Sequence, residues 1–135
     1  MTAKHEYNLR VYYEDTDAGG IVYHASYLRF AERARTEMLR DNGFEHVQFL
    51  NDTGIAFAVR HLSISYERPA TLDDTLTVQT QMTDMGKARM DLKQDIYNGD
   101  ILLATITLTL VCMNIQTKKA ARLPEECRAV FSEMM

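Results

Sequence analysis

One amphipathic segment precedes a long run of alternating residues, and that order decides what this chain can fold into. Between Ala25 and Asp41, the residues Tyr27, Ala31, Ala34 and Met38 recur at helical spacing, widened by Leu28, Phe30 and Leu39. Arg29, Glu32, Arg33, Glu37 and Arg40 occupy much of the remaining surface. Such a stripe buries one face of a helix. Gly43 is a stop signal for it, and a short helical turn is expected near Val47 to Asn51.

Ile55 to about Gln116 reads as strand throughout. Ile55, Phe57 and Val59 alternate, and Leu62, Ile64 and Tyr66 continue in the opposite phase. A phase switch at Arg60-His61 is what a bulge produces. Leu76, Val78 and Met82 line a third strand; Asp84 to Lys87, with Gly86, turns into a fourth carrying Met90, Leu92 and Ile96. Asn98-Gly99 is a hairpin signal. The last strand sets Leu102, Ala104, Ile106, Leu108 and Leu110 on one face against Thr105, Thr107 and Thr109 on the other. Ahead of the helix, Tyr7, Leu9, Val11 and Tyr13 alternate with Asn8 and Arg10 as a first strand, and Asp15 to Tyr23 is loop. A short helix is expected after Leu123-Pro124.

One long helix with an antiparallel sheet is an α+β domain, and wrapping the sheet around the helix buries the stripe. At 135 residues the chain is a single domain, 1–135. The sheet's second face, rich in Thr, Ser and charge, is either solvated or meets another subunit.

The chemistry concentrates in one place. Glu14, Asp15 and Asp17 precede Gly19-Gly20, and His24 stands where the helical pattern begins. A carboxylate, a flexible turn and the positive end of a helix are the parts needed to attack a carbonyl and hold the resulting oxyanion. That combination points to an enzyme acting on an activated acyl group. A net charge of −4 argues against nucleic acid as the main partner, without excluding a local basic patch for one phosphorylated ligand. The start MTAKHEYNLR lacks the apolar stretch of a signal peptide, and no segment is long and apolar enough to cross a bilayer. Cys112 and Cys127 are expected to be reduced, buried thiols, and a cytoplasmic setting follows. The four histidines lack metal-ligand spacing; His46 and His61 are given structural or surface parts and His5 lies in the tail.

The residues Asp15-Thr16-Asp17, Gly19-Gly20-Ile21-Val22-Tyr23-His24, Tyr27-Leu28 and Glu32-Arg33-Ala34-Arg35 carry a family resemblance. It extends through Val59-Arg60, Tyr66, Arg68-Pro69-Ala70 and Leu72-Asp73-Asp74 to the final strand. The chain resembles the bacterial acyl-CoA thioesterases encoded with the Tol-Pal cell-envelope system, within the 4-hydroxybenzoyl-CoA thioesterase superfamily. The resemblance implies a hotdog fold, an antiparallel five-stranded sheet wrapped around one long central helix. It implies homodimers formed through the sheets, often paired into homotetramers, with active sites between subunits. The implied reaction is hydrolysis of an acyl-CoA to free acid and CoA, with no metal and no cofactor beyond the CoA of the substrate.

With that resemblance, Asp17 becomes the residue that attacks the thioester or takes a proton from an attacking water, in preference to merely ordering its loop. Backbone N–H groups at Tyr23 and His24 are the expected oxyanion donors, and Gly19 and Gly20 let the chain bring them to the substrate. The His24 side chain is given a role in orienting water or the carbonyl. Asp15 and Glu14 are neighbours, one of them solvated or paired with an arginine, and Tyr13 either lines the pocket or joins the core. Lys87 and Arg89 are preferred over Lys118, Lys119 and Arg122 as the grip on the nucleotide phosphates. Two rivals stand beside hydrolysis: a hotdog dehydratase acting on a hydroxyacyl thioester, and a non-catalytic scaffold for acyl carrier protein or lipid-synthesis enzymes. An acyl carrier protein also remains open as the donor.

Overall fold

The computed structural model describes residues 4–135. Alternation in the first segment produces a strand, β1 (His5–Arg10), which is shorter than its pattern suggests. Instead of continuing to Tyr13, the chain leaves the sheet at Val11, whose N–H and C=O are taken by Asp74 and Asp73 at 2.8 and 3.0 Å. Tyr13–Asp15 then forms one turn of 3-10 helix. The Asp15 carboxylate accepts the Tyr12 N–H at 2.9 Å, which curls the backbone away from extension.

The amphipathic stripe folds into α1 (Ser26–Asp41), beginning one residue later than its pattern. Tyr27, Phe30, Ala31, Ala34, Met38 and Leu39 are buried, whereas Leu28 stays 36% exposed and does not widen the stripe. Helix α2 (His46–Thr53) follows, longer than the single turn expected. The chain then runs through β2 (Ile55–Tyr66), β3 (Thr75–Met85), β4 (Arg89–Asn98) and β5 (Ile101–Asn114), and ends in α3 (Glu125–Ser132). The eight residues between Tyr66 and Thr75 are loop rather than strand, because Pro69 cannot continue a ladder.

All neighbouring strands pair antiparallel in one five-stranded sheet of order β1-β3-β4-β5-β2. Helix α1 packs against β1 and β3, so the sheet curves around it and the expected α+β architecture holds. The phase switch in β2 is a true bulge, with the register shifting between Val59 and His61. A second shift is not visible in the alternation of β5. Between Ile96 and Tyr97 of β4 the register against β5 slips, so Leu103 turns inward and is 2% exposed while Leu102 is only half-buried. The β4–β5 turn is Gly99-Asp100, with Asn98 still paired to Ile101. Gly99 takes φ 59 and Asp100 stays on the negative side, the signs of a type II′ turn.

The core joins Phe30 and Met38 of α1 to Leu76, Met82, Leu92, Ile96 and Ile106 of the sheet, all essentially sealed from solvent. Burying a side chain of this size stabilises by about 1.5–3 kcal/mol. Phe131 of α3 stacks edge-on with Phe44, and Arg128 donates to the Gly86 carbonyl at 2.8 Å, which closes the far end of the sheet. His5 belongs to β1 rather than to a loose tail, with its Nε2 2.7 Å from an Asp41 oxygen. No helix among the described residues is long and apolar enough to cross a membrane.

Cys112 and Cys127 are free and buried. Burial pushes the Cys112 thiol up to about 11 and that of Cys127 up to about 12, so almost no thiolate exists at pH 8. An aromatic disulfide reagent at pH 8 should therefore leave the folded protein nearly untouched and react with both thiols on unfolding. Rapid labelling of either one in the native state would contradict this packing.

Candidate active site

The acidic motif is a miniature hairpin laid against the helix entry. Thr16 bridges to Val22 and Ile21 to Thr71. Within it, the Asp17 N–H donates to Ile21 O at 2.9 Å and the Gly20 N–H to Asp17 O at 3.0 Å. Gly20 takes φ 84, a conformation that side chains rarely adopt. Gly19 donates its N–H to Asp17 Oδ1 at 2.8 Å, and a Cβ there would lie 3.2 Å from that oxygen. One carboxylate oxygen is thus oriented by the turn. The other has no hydrogen-bond partner among the described residues and is left for chemistry.

The two aspartates of the motif have opposite fates. Asp17 is exposed at the tip, while Asp15 is 3% exposed. Of the two acids Glu14 and Asp15, Glu14 is the solvated one, and the Asp15 carboxylate accepts the Tyr12 N–H instead. The Asp15 carbonyl accepts the Tyr23 N–H at 2.8 Å and the Ser26 hydroxyl at 3.2 Å. Ser26 Oγ in turn accepts from Arg29 Nη2 at 2.7 Å. These bonds tie the loop to the first turn of α1.

The same bonds correct one expectation. Tyr23 cannot serve as an oxyanion donor, since its N–H is committed to Asp15. The His24 N–H has no acceptor among the described residues and is one of the donors that remain at the helix entry, with those of Ala25 and Tyr27. The His24 ring packs on Tyr23 with centroids 4.4 Å apart, and its carbonyl accepts the Tyr66 hydroxyl at 2.8 Å.

Asp17 stands between two clefts. The first, about 440 Å³, brings it together with His24, Ile21, Val22, Tyr27 and the segment Tyr66 to Pro69. That volume falls within the range of small-molecule sites. The second, about 540 Å³, lies on the other side and is lined by Tyr13, Thr16, Ala18, Gly20 and Leu72 with Asp17. Tyr13 is 82% exposed there and takes no part in the core. Tyr66, Glu67, Arg68 and Pro69 reach the site from the end of β2, some 40 residues along the chain. The break in alternation at Arg68-Pro69 was the only local sign that a loop arrives there.

Tyr27 forms the floor. Its hydroxyl accepts the Ala70 N–H at 3.1 Å, and its ring meets Tyr66 edge-on at 5.5 Å. Burial, against the Ala70 bond, holds its phenol above the usual range, so it stays protonated. Ala70 in turn accepts the Val22 N–H at 2.9 Å, which links floor and motif.

Lys87 and Arg89 are not brought to this site within one subunit. They flank the β3–β4 turn at the opposite end of the sheet, roughly 25 Å from the Tyr66 end along the strands. Arg89 is held there by Asp84 and Asp91. Lys118 and Lys119 lie at that same end, where the Asn114 N–H meets Lys119 O. Among the described residues no cluster of His, Cys, Asp or Glu is arranged to hold a metal.

Comparison with known proteins identifies the family and the fold. Residues 11–131 match the model of the thioesterase-like superfamily. The acyl-CoA thioester hydrolase YbgC of Escherichia coli O6:H1 is 45% identical over 126 residues, 93% of either chain. The acyl-CoA thioesterase YbgC of Haemophilus influenzae is 40% identical over the same share. The crystal structure of a probable thioesterase from Bartonella henselae superposes with a TM-score of 0.87 at 39% identity, covering 90% of this chain and all of that one.

Tyr27→Phe should lower stability by about 1–3 kcal/mol in urea denaturation, since it leaves the buried Ala70 N–H without an acceptor. An unchanged midpoint would mean that this bond does not hold the floor.

Proposed function

This chain belongs to the thioesterase-like superfamily and is an acyl-CoA thioesterase, and on that footing we propose that Asp17 is its attacking group. The observation that carries the assignment is the shared cleft: Asp17, with one oxygen unengaged, opens onto the same space as the helix entry at His24. Asp17 either attacks the thioester carbon to form a mixed anhydride or takes the proton of an attacking water. In both cases the carbon–sulfur bond breaks, CoA leaves as the thiol, and water supplies the oxygen of the acid. The His24 N–H receives the negative charge that develops on the carbonyl oxygen. A donor so placed is typically worth ~10²–10³ in kcat.

The substrate's nucleotide needs cations, and the arrangement of the sheet supports taking them from a second copy. Strand β2 is a twelve-residue edge with Val59 and Tyr66 exposed along it. Antiparallel pairing of two such edges sets the Tyr66 end of one copy beside the Ile55 end of the other. That end carries the partner copy's β3–β4 turn, so Lys87 and Arg89 act on the neighbouring site in a homodimer. Tetramers arise by pairing of dimers. Acyl carrier protein, whose prosthetic arm ends in the same thiol, is a second donor class for the site. A non-catalytic scaffold has no use for an unengaged carboxylate beside a free helix-entry amide, and dehydration would leave the thioester intact.

Asp17→Asn should abolish thiol release from acyl-CoAs while leaving fold and substrate affinity in place; near-normal turnover would remove Asp17 from the mechanism. His24→Ala should reduce turnover less than Asp17→Asn, since its backbone donor survives, and the reverse ranking would reassign the main group. For the shared site, Asp17→Asn subunits mixed with Lys87→Ala/Arg89→Gln subunits should recover activity that neither parent has. Absence of recovery in confirmed mixed dimers would place the cations elsewhere.

A further inference from the structure

Two polar side chains lie in a core layer that packing alone would fill with aliphatics, and the half-buried Arg35 reaches in to join them. Gln94 of β4 and Thr80 of β3 are direct cross-strand partners, both facing α1, and both have no exposed surface. Their neighbours on that face are Val78, Met82, Leu92, Ile96 and Ile106. Burying an amide is unfavourable unless its hydrogen-bonding groups are satisfied. Here they are: Gln94 Nε2 donates to Ala31 O at 2.9 Å and to Thr80 Oγ1 at 3.0 Å, and Oε1 accepts from Arg35 Nη1 at 3.0 Å.

Two of those three bonds run from the sheet to the helix, one to its backbone. The helix face around them is built from Ala31 and Ala34, small side chains that interlock weakly with the sheet. Apolar packing is non-directional, so such a face resists sliding and rotation poorly. A hydrogen bond from a strand side chain to a helix carbonyl is directional, and a slip of one residue would break it. Arg35 gives up solvent to join, and burial holds its guanidinium below the usual arginine range.

Helix α1 begins about one and a half turns ahead of Ala31, and the entry at His24, two residues before its start, lies about 10 Å up the axis from this clamp. A rigid helix transmits any displacement over that distance without loss. We propose that Gln94, with Arg35 and Thr80, forms a positioning network that fixes the register of α1 on the sheet and thereby the spacing between the His24 N–H and the Asp17 carboxylate. It rests on the assignment of the thioester site to the entry of α1. The acting groups remain those at the cleft; the network holds one against the other.

The test is thiol release from an acyl-CoA, with kcat and KM measured well below the thermal midpoint of each variant. Gln94→Met keeps the volume and removes all three bonds, and Thr80→Val is isosteric and removes one. Gln94→Met should lower kcat about tenfold or more with KM within about twofold, as expected when reacting groups are misplaced by a fraction of an ångström. Thr80→Val should fall between that and wild type, and Thr80→Ser should restore wild-type turnover. Should Gln94→Met fail to fold, the Thr80→Val and Thr80→Ser pair decides. A merely structural network would lower the midpoint and leave kcat unmoved at low temperature, and that result overturns the proposal, as does a rise in KM alone. Asp17→Asn runs in the same assay: if it is inactive while Gln94→Met or Thr80→Val is normal, the positioning role fails; if it too is active, the site assignment fails.

Discussion

Everything at the entry of α1 hangs from the backbone carbonyl of Asp15. It accepts from Tyr23 and from Ser26, while the carboxylate of the same residue holds Tyr12. Three hydrogen bonds converge on this one buried residue, so the loop organised around it has few alternative conformations. The consequence is local rigidity where the sequence looks most permissive, around a pair of glycines. Asp17 can then be exposed without being mobile, because its flanks are pinned at Thr16 and Ile21.

That arrangement divides labour between Asp15 and Asp17, two acids of one motif separated by Thr16. One is sunk beneath the loop and shapes it; the other is lifted onto the rim between two clefts. The helix supplies the complementary half. Its first turn lacks a side-chain cap, and part of its N-terminal hydrogen-bonding capacity stays unspent. A capped helix would be more stable and less useful here. The floor beneath, from Tyr27 through Ala70 to Val22, is a relay of backbone and phenol bonds that keeps the β2–β3 loop against the motif.

Much of the fold was legible in the chain. The helix stripe, the β2 bulge and the terminal helix follow from local periodicity, which depends on near neighbours. Less legible were features set by pairing between distant strands. Leu103 is buried and Leu102 is not because β4 slips against β5, and nothing in the alternation of β5 encodes its partner's register. In the site, the acid-glycine-helix order marked the loop that shares a cleft with His24. It did not say that Asp15 would go under, since two carboxylates one residue apart look alike until the 3-10 turn is formed. Nor did it exclude Tyr23 as a donor, since the acceptor that claims it lies eight residues back. Lys87 and Arg89 posed the hardest question, because a sequence names cations but not which end of a sheet they occupy.

The sheet has two borders of unequal character. On one side β1 is six residues long and its outward positions are Glu6, Asn8 and Arg10; on the other, β2 runs twice that length. A border studded with polar groups and quickly ended discourages further strands, whereas a long one invites them. Molecules with two inviting borders would stack without limit into fibrils. With one, growth would stop after a single two-fold handshake, and the asymmetry of the borders would itself guard against aggregation.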